Sequence, residues 1–267
     1  MARSKITTAA LRQMKARGER IVCLTAYDNL LARLIDEAGT DLILIGDSVA
    51  TVMQGRNTTV PVSMDQMVYH TDMVSRGVER AFVVSDMPFL SYQVSIEEAL
   101  RNAGRLLKEG RAEAVKLEGG VDFAPTVERL VNAGIPVMGH LGLTPQSIHQ
   151  FGSYKARGTE DIEAQGICND AKALEEAGAF GLVLEKVPAE LGQRVSESVS
   201  IPVIGIGAGP HCDGQILVTQ DMLGLFTRFR PRFVRRYLEL ASMINEAVTS
   251  YGTDVRKGDF PNADESY

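Results

Sequence analysis

The sequence has few of the residues that mark secreted or metal-thiolate proteins. Its 267 residues include three cysteines and no tryptophan, and aromatic residues make up only 6%. Cys23, Cys168 and Cys212 lie far apart and form no CxxC pair. They therefore predict neither a disulfide framework nor a thiolate zinc site, and they favour a reducing compartment.

Long apolar runs and an excess of positive charge are also missing. No stretch approaches the length of a membrane span, and the first 18 residues lack the apolar centre of a secretory signal. Lys and Arg number 28 against 34 Asp and Glu, so the formal net charge is −6, and the basic residues are scattered. We therefore expect no nucleic-acid or membrane partner and predict a cytoplasmic protein.

Short apolar segments alternate with helical patterns along most of the chain. Hydrophobic residues make up 45% of the sequence, which is enough for a full core. The last alternation is a strand within 215–223 followed by an amphipathic helix at 231–248. Eight strand–helix units favour a closed barrel over an open doubly wound sheet. We predict an α/β fold, a single (β/α)8 TIM barrel over 1–267, with an N-terminal helix at 7–17 and a polar C-terminal arm at 252–267.

Several of the predicted strands end on an ionisable residue. The clearest is LILIGDS at 42–48, in which four apolar residues lead through a glycine to an acid and a serine. The carboxyl ends of parallel strands share one rim of a barrel, and a rim crowded with carboxylates is typical of an active site. The residues expected at this rim are Asp47, Asp86, Glu118, His140 and Glu185.

The first three of these residues suggest a metal site. Asp47, Asp86 and Glu118 follow the second, third and fourth strands, and carboxylates that close repel one another unless a cation lies among them. Hard oxygen ligands without a neighbouring His or Cys pair suit Mg²⁺ better than zinc. The alternative is that each acid only caps a helix, since acids are common where strands turn into helices.

The remaining rim residues suggest substrate binding and proton transfer. Lys116 shares a strand face with Glu118, so it could bind a substrate carboxylate, form a Schiff base or neutralise the acids. Glu185 lies two strands from the predicted metal ligands and is a candidate general base. His140 is a candidate for binding a substrate oxygen, or a structural histidine.

Three further segments have possible roles at the rim. GIGAG at 205–209 is not a dinucleotide fingerprint, because it comes late and is followed by Pro210. It could form a phosphate cradle, or its glycines could relieve crowding where the backbone passes the barrel mouth. The long polar segments at 49–62 and 144–158 are candidates for loops that exclude water from the site.

Six motifs together resemble the ketopantoate hydroxymethyltransferase family. They are GDS at 46–48, SDMPF at 85–89, VKLEGG at 115–120, GHLGLTPQS at 139–147, LEKVP at 184–188 and IGIGAGPHCDGQILV at 204–218. The resemblance runs from about Thr7 into the tail. It implies transfer of a hydroxymethyl group from 5,10-methylenetetrahydrofolate to 3-methyl-2-oxobutanoate through a magnesium-bound enolate, giving 2-dehydropantoate in pantothenate biosynthesis.

The resemblance also implies roles for individual residues. Asp47, Asp86 and Glu118 correspond to the magnesium site, with the two aspartates also facing the keto acid. Ser48 and Lys116 contact the keto acid, and Glu185 is the proton acceptor. The family's partners are this keto acid and folate, and its members form homo-oligomers, typically decamers.

Two rival functions share some of these features. A barrel lyase or mutase of the isocitrate lyase and phosphoenolpyruvate mutase kind also uses a magnesium-bound keto acid, but it needs no folate. A non-catalytic module that holds a phosphorylated ligand on GIGAG would bind its ligand and turn over no keto acid.

Overall fold

The computed structural model describes residues 4–267. Contacts between Cα atoms divide the chain into two compact units, the first ending at Val218 and the second running from Thr219 to Tyr267. Among the described residues, no helix combines the length and apolarity that a membrane span requires. Whether 1–267 behaves as a single domain stays a prediction.

The first unit is a closed parallel barrel, which confirms the predicted fold class. Its eight strands follow one another around the barrel in chain order, and β8 pairs with β1 to close it. The strands are β1 Ile21–Thr25, β2 Leu42–Ile45, β3 Phe82–Asp86, β4 Ala114–Glu118, β5 Val137–Gly142, β6 Gly181–Glu185, β7 Val203–Ile206 and β8 Gly214–Leu217.

Helices connect most of these strands. Those of the first unit are α1 Thr8–Ala16, α2 Asn29–Glu37, α3 Val49–Val52, α4 Met64–Ser75, α5 Ile96–Lys108, α6 Ala124–Asn132, α7 Ile148–Phe151, α8 Asp161–Glu176 and α9 Ala189–Ser198. Short 3-10 helices at Val121–Phe123 and Pro145–Ser147 precede α6 and α7. The predicted N-terminal helix is α1, which starts behind the Thr7 cap.

Two apolar clusters follow from the alternation of side chains along each strand. Val83, Val115 and Leu117 belong to the larger cluster, together with buried side chains of the surrounding helices. The smaller cluster holds the alternate positions, such as Phe82 and Val84, and includes Leu11 of α1. The smaller cluster therefore fills the barrel interior, and α1 covers one end of it.

The connection between β7 and β8 differs from the prediction of eight complete strand–helix units. Residues 207–213 join these parallel strands, and no helix lies between them. Gly209 has a φ of +81°, and a Cβ there would lie 2.5 Å from the Cβ of Ala189. A Cβ on Gly205 would lie 2.9 Å from Cys212 Sγ. The glycines of GIGAG are thus explained by a tight return of the backbone past α9.

The second unit also differs from its predicted boundaries. It contains α10 Thr219–Met222, α11 Leu240–Lys257 and a 3-10 helix at Ala263–Glu265, so the helix predicted at 231–248 was wrong at both ends. Tyr237 N donates to Met222 O, and the Arg236 side chain donates to Phe226 O. These non-local bonds hold the segment before Leu240 out of a helix. At the other end, α11 includes residues 252–257, which were predicted to be the start of the C-terminal arm.

Candidate active site

The interior face of the barrel changes from apolar to ionisable toward the carboxyl ends of the strands. Along β3 the inward positions are Phe82, Val84 and Asp86, and along β4 they are Ala114, Lys116 and Glu118. His140 on β5 pairs with Glu118, and Glu185 ends β6. Asp47 and Ser48 follow β2 after Gly46. The prediction that these strand ends meet at one rim is confirmed.

The carboxylates lie around a single buried ammonium group. Asp47, Asp86, Lys116 and Glu118 are each at most 4% exposed. Lys116 Nζ lies 3.0 Å from Asp86 Oδ1, and the Asp47 backbone N–H donates to Asp86 Oδ2 at 3.0 Å. One positive charge therefore faces three acids in an environment with little water.

The excess of buried negative charge raises the pKa values of two of the acids. Burial, with repulsion from Asp86 and Glu118, raises the pKa of Asp47 to about 8. Burial also raises the pKa of Glu118 to about 8, although Lys116 opposes the shift. Burial disfavours the charge on Lys116, but attraction to Asp86, Glu118 and Asp47 outweighs it and raises the Lys116 pKa. Lys116 is therefore an ammonium ion, and the acids bind protons readily.

His140 bridges this cluster to Glu185. Lys116 Nζ lies 3.0 Å from His140 Nδ1, and His140 Nε2 lies 3.4 Å from Glu185 Oε2. Burial, followed by the charge of Lys116, lowers the His140 pKa, so the ring is neutral at pH 7. An ammonium group can only donate to Nδ1, which places the ring proton on Nε2, facing Glu185. His140 thus contacts the predicted base directly.

Ser48 lies at the edge of the same rim. Its Oγ lies 2.7 Å from the hydroxyl of Tyr27, which is fully buried. Burial raises the Tyr27 pKa, so the phenol stays protonated. The Ser48 hydroxyl is therefore held in place by a neutral partner.

Two residues of the site, Tyr92 and Gln146, were not predicted from the sequence. Gln146 lies in the segment predicted to be a water-excluding loop, yet it is 4% exposed and its Nε2 donates to Asp47 Oδ2 at 3.0 Å. The Tyr92 hydroxyl lies 3.0 Å from Gln146 Oε1. Gln146 falls within the quoted motif GHLGLTPQS, which is the one signal that could have identified it.

The two segments predicted to be loops contain short helices. The segment at 49–62 begins with the helical turn α3, and 144–158 contains a 3-10 helix and α7. The remainder of the second loop packs on the strand that carries the predicted base, because Arg157 N donates to Lys186 O and Lys186 Nζ donates to Tyr154 O. A role in excluding water stays a prediction.

Several buried oxygens at the rim suit a hard cation. Among the described residues, Asp86 Oδ1 and Glu118 Oε1 are buried without a hydrogen-bond donor, although Asp86 Oδ1 forms the ion pair with Lys116 and Glu118 Oε1 lies 3.3 Å from His140 Nδ1. No three His, Cys, Asp or Glu side chains in residues 4–267 form a ready-made metal cage. Mg²⁺ does not require one, since it usually keeps several waters and takes one or two carboxylates together with substrate oxygens. The donor set therefore fits Mg²⁺ shared with a chelating substrate.

Comparison with known proteins identifies the family. The model of the family described as ketopantoate hydroxymethyltransferase matches residues 5–263. The chain belongs to this family. It is 59% identical over 266 residues to the 3-methyl-2-oxobutanoate hydroxymethyltransferase of Prosthecochloris aestuarii, covering 98% of this chain and 96% of the relative. The relative of the same name from Flavobacterium johnsoniae is 54% identical over 263 residues, covering 98% and 97%. The chain is therefore an enzyme, a hydroxymethyltransferase of the pantothenate pathway.

More distant proteins share the fold. A crystal structure of phosphonopyruvate hydrolase in complex with oxalate and Mg²⁺ aligns with a TM-score of 0.61 at 14% identity, covering 97% of this chain and 93% of that one. A 2,3-dimethylmalate lyase, described as a PEP mutase/isocitrate lyase superfamily member, aligns with a TM-score of 0.61 at 16% identity, covering 94% and 88%. These similarities confirm the barrel but do not extend to a reaction.

Gly142 allows β5 to approach the strand that carries Glu185. A Cβ at Gly142 would lie 2.2 Å from Glu185 O, and the residue has a φ of +86°. We predict that Gly142→Ala displaces the end of β6 and lowers hydroxymethyl transfer by about 100-fold, the usual effect of moving a reacting group by about 1 Å. Steady-state kinetics measure this loss.

Gly152→Ala is the matched control for this substitution. Gly152 also has a positive φ, +67°, but a Cβ added there would meet no other atom within 4 Å. The control carries the same kind of backbone strain without the clash and should keep most of the activity. Equal losses in the two variants would show that backbone strain, and not the approach to Glu185, limits the enzyme.

Proposed function

We propose that this enzyme transfers a hydroxymethyl group from 5,10-methylenetetrahydrofolate to C3 of 3-methyl-2-oxobutanoate, through an enolate, giving 2-dehydropantoate and tetrahydrofolate. Water supplies the hydroxyl oxygen in the overall reaction. The observation that carries the proposal is the contact of a carboxylate cluster with a separate carboxylate, Glu185, through His140. Such a site can stabilise an enolate at one end and accept its proton at the other.

The carboxylate cluster accounts for binding of the keto acid. Asp47, Asp86 and Glu118 would hold Mg²⁺, which supplies positive charge beside the keto and carboxylate oxygens as negative charge develops there. The fold-level relative that was crystallised with oxalate and Mg²⁺ supports this choice of metal by analogy only. Ser48 and Lys116 would bind the carboxylate of the keto acid.

The environment of Lys116 favours an electrostatic role over a Schiff base. A Schiff-base lysine needs a neutral amine, whose pKa is usually lowered by an apolar pocket or a neighbouring cation. Lys116 instead lies 3.0 Å from Asp86 Oδ1, and its pKa is raised. A permanently charged lysine suits an anionic substrate and retains its own counterion when the substrate leaves.

Glu185 is positioned to accept the C3 proton. It is the least buried acid of the site, with 18% of its side chain exposed, and it contacts His140 rather than the carboxylate cluster. His140 Nε2 faces its Oε2 at 3.4 Å. The resulting carbon forms the new C–C bond to the folate one-carbon unit, whose two C–N bonds are replaced by that bond and by the C–O bond from water. This exchange depends on holding the two reactants face to face.

The test of this function is hydrogen–deuterium exchange at C3 of 3-methyl-2-oxobutanoate. We predict that Glu185→Gln binds Mg²⁺ and the keto acid nearly as well as wild type, but exchanges the C3 proton about 10² to 10⁴ times more slowly, because the amide has no basic lone pair. Calorimetry measures the binding and proton NMR measures the exchange.

Glu190→Gln provides the same chemical change outside the site, since Glu190 is exposed in the first turn of α9. It should leave exchange unaffected. Unchanged exchange in Glu185→Gln would transfer the base role to another group, and loss of Mg²⁺ binding would make Glu185 a ligand. Turnover of the keto acid without folate would favour a lyase or mutase.

The raised pKa values of Asp47 and Glu118, each about 8, predict the pH dependence of metal binding. Without metal, these two acids keep protons in the folded protein that they lose in the unfolded chain between about pH 4 and 8, so their contribution to stability falls as pH rises through this range. Mg²⁺ needs the deprotonated acids, so its affinity should rise from pH 6 to 9 with proton release at pH 7. Calorimetry in buffers of different ionisation enthalpy measures both, and a pH-independent affinity would contradict the metal assignment.

We also propose that the enzyme is a cytoplasmic homo-oligomer, a decamer as the family resemblance implies. Within the second unit, α11 exposes a series of apolar side chains that suit a contact between subunits: Met243, Ile244, Val248, Tyr251 and Val255. Light scattering should give a mass several times the 29.0 kDa of one chain. A 29.0 kDa particle at micromolar concentration would contradict this proposal.

A further inference from the structure

Gln146 contacts two of the three carboxylates of the predicted metal site. Its side-chain Nε2 donates to Asp47 Oδ2 and its backbone N–H donates to Glu118 Oε2, both at 3.0 Å. The third carboxylate, Asp86, has its Oδ2 bound by the Asp47 backbone N–H. One oxygen of each carboxylate is therefore bound by a backbone or amide N–H. Of the opposite oxygens, Asp86 Oδ1 pairs with Lys116 Nζ at 3.0 Å and Glu118 Oε1 lies 3.3 Å from His140 Nδ1.

The orientation of the Gln146 amide is fixed by its neighbours. Nε2 lies 3.0 Å from Asp47 Oδ2 and 3.0 Å from the Met87 carbonyl oxygen, and the carbonyl can only accept. Oε1 lies 3.0 Å from the Tyr92 hydroxyl and 3.3 Å from Gln93 Nε2, which can both donate. The reverse assignment of N and O would place the amide oxygen against the Met87 carbonyl oxygen, so Nε2 faces Met87 and Asp47.

Tyr92 extends this network to the backbone of β4. Its hydroxyl lies 3.1 Å from both the N–H and the carbonyl of Glu118, and the residue is 2% exposed. The tyrosine thus joins Gln146 to the strand end from which Glu118 projects. Tyr92, Gln146 and the two carboxylates are buried, so the bonds among them are protected from competition with water.

We infer that Gln146 is the positioning residue that orients Asp47 and Glu118 for Mg²⁺, an inference that rests on the proposed function. Partners behind metal ligands fix the direction of the ligand oxygens, and losing them typically weakens metal binding about 10- to 100-fold. Here a neutral amide achieves this without adding charge to a rim that already carries excess negative charge.

Gln146→Met tests the inference. Methionine has a similar size and flexibility, but its side chain cannot donate to Asp47 and its sulfur is only a weak acceptor for the Tyr92 hydroxyl. We expect the metal-free variant to be folded and to bind Mg²⁺, measured by calorimetry without keto acid, about 10 to 100 times more weakly than wild type. Circular dichroism and the unfolding midpoint of the metal-free protein report on folding separately from metal affinity.

Gln193→Met is the matched control, because Gln193 is exposed on α9 and its side chain donates to Glu197. Its Mg²⁺ affinity should equal that of wild type. Equal affinity in Gln146→Met and wild type would overturn the positioning role while leaving the metal site intact. Absence of Mg²⁺ binding by wild type itself would overturn both the metal assignment and this inference.

Tyr92→Phe decides the question if Gln146→Met does not fold. The ring and its edge contact with Phe123 are kept, and only the hydroxyl that faces Gln146 and Glu118 is lost. A several-fold weaker Mg²⁺ affinity in this folded variant supports a network that orients the carboxylates. Unchanged affinity in Tyr92→Phe would count against it.

Discussion

The burial of three carboxylates around one lysine is the constraint on which the rest of the site depends. Parallel strands of a barrel bring Asp47, Asp86 and Glu118 to one rim whatever their distance in sequence. Lys116 can neutralise only one of them, and desolvation makes each uncompensated charge costly. The excess negative charge can be neutralised by protons or by a divalent cation. Competition between protons and the cation follows directly from the charges that the fold buries.

Hydrogen bonds to the carboxylates reduce the free-energy cost of burying excess negative charge. Protein N–H groups bind one oxygen of each acid, which removes part of the desolvation cost without neutralising the charge. The opposite oxygens of Asp86 and Glu118 face Lys116 Nζ at 3.0 Å and His140 Nδ1 at 3.3 Å. A rim built in this way is oriented before any ligand arrives, which is the property that transition-state stabilisation requires.

Sequence reasoning succeeded where chemistry and periodicity coincide. The barrel and its acidic rim could be predicted because residues such as Asp47 and Glu185 follow apolar strand-like runs. Gln146 could not, since a neutral glutamine in a polar segment becomes significant only through contacts with residues 99 and 28 positions away. The absence of a helix between β7 and β8 also depends on a tertiary contact. The close packing of Gly209 on Ala189 sets the path of the chain between these strands. Local periodicity of the sequence carries no information about such tertiary contacts.

His140 lies between the carboxylate cluster around Lys116 and the predicted base, Glu185. Lys116 is ion-paired with Asp86 and also lies beside His140 Nδ1, so the charge that balances the carboxylate cluster also selects the tautomer of the histidine. That tautomer directs an N–H toward Glu185 and leaves the glutamate as an acceptor. A charged histidine would add a second cation beside Lys116 and repel it. The neutral ring therefore connects the electrostatic half of the rim to the base without disturbing the balance of charge on which the site is built.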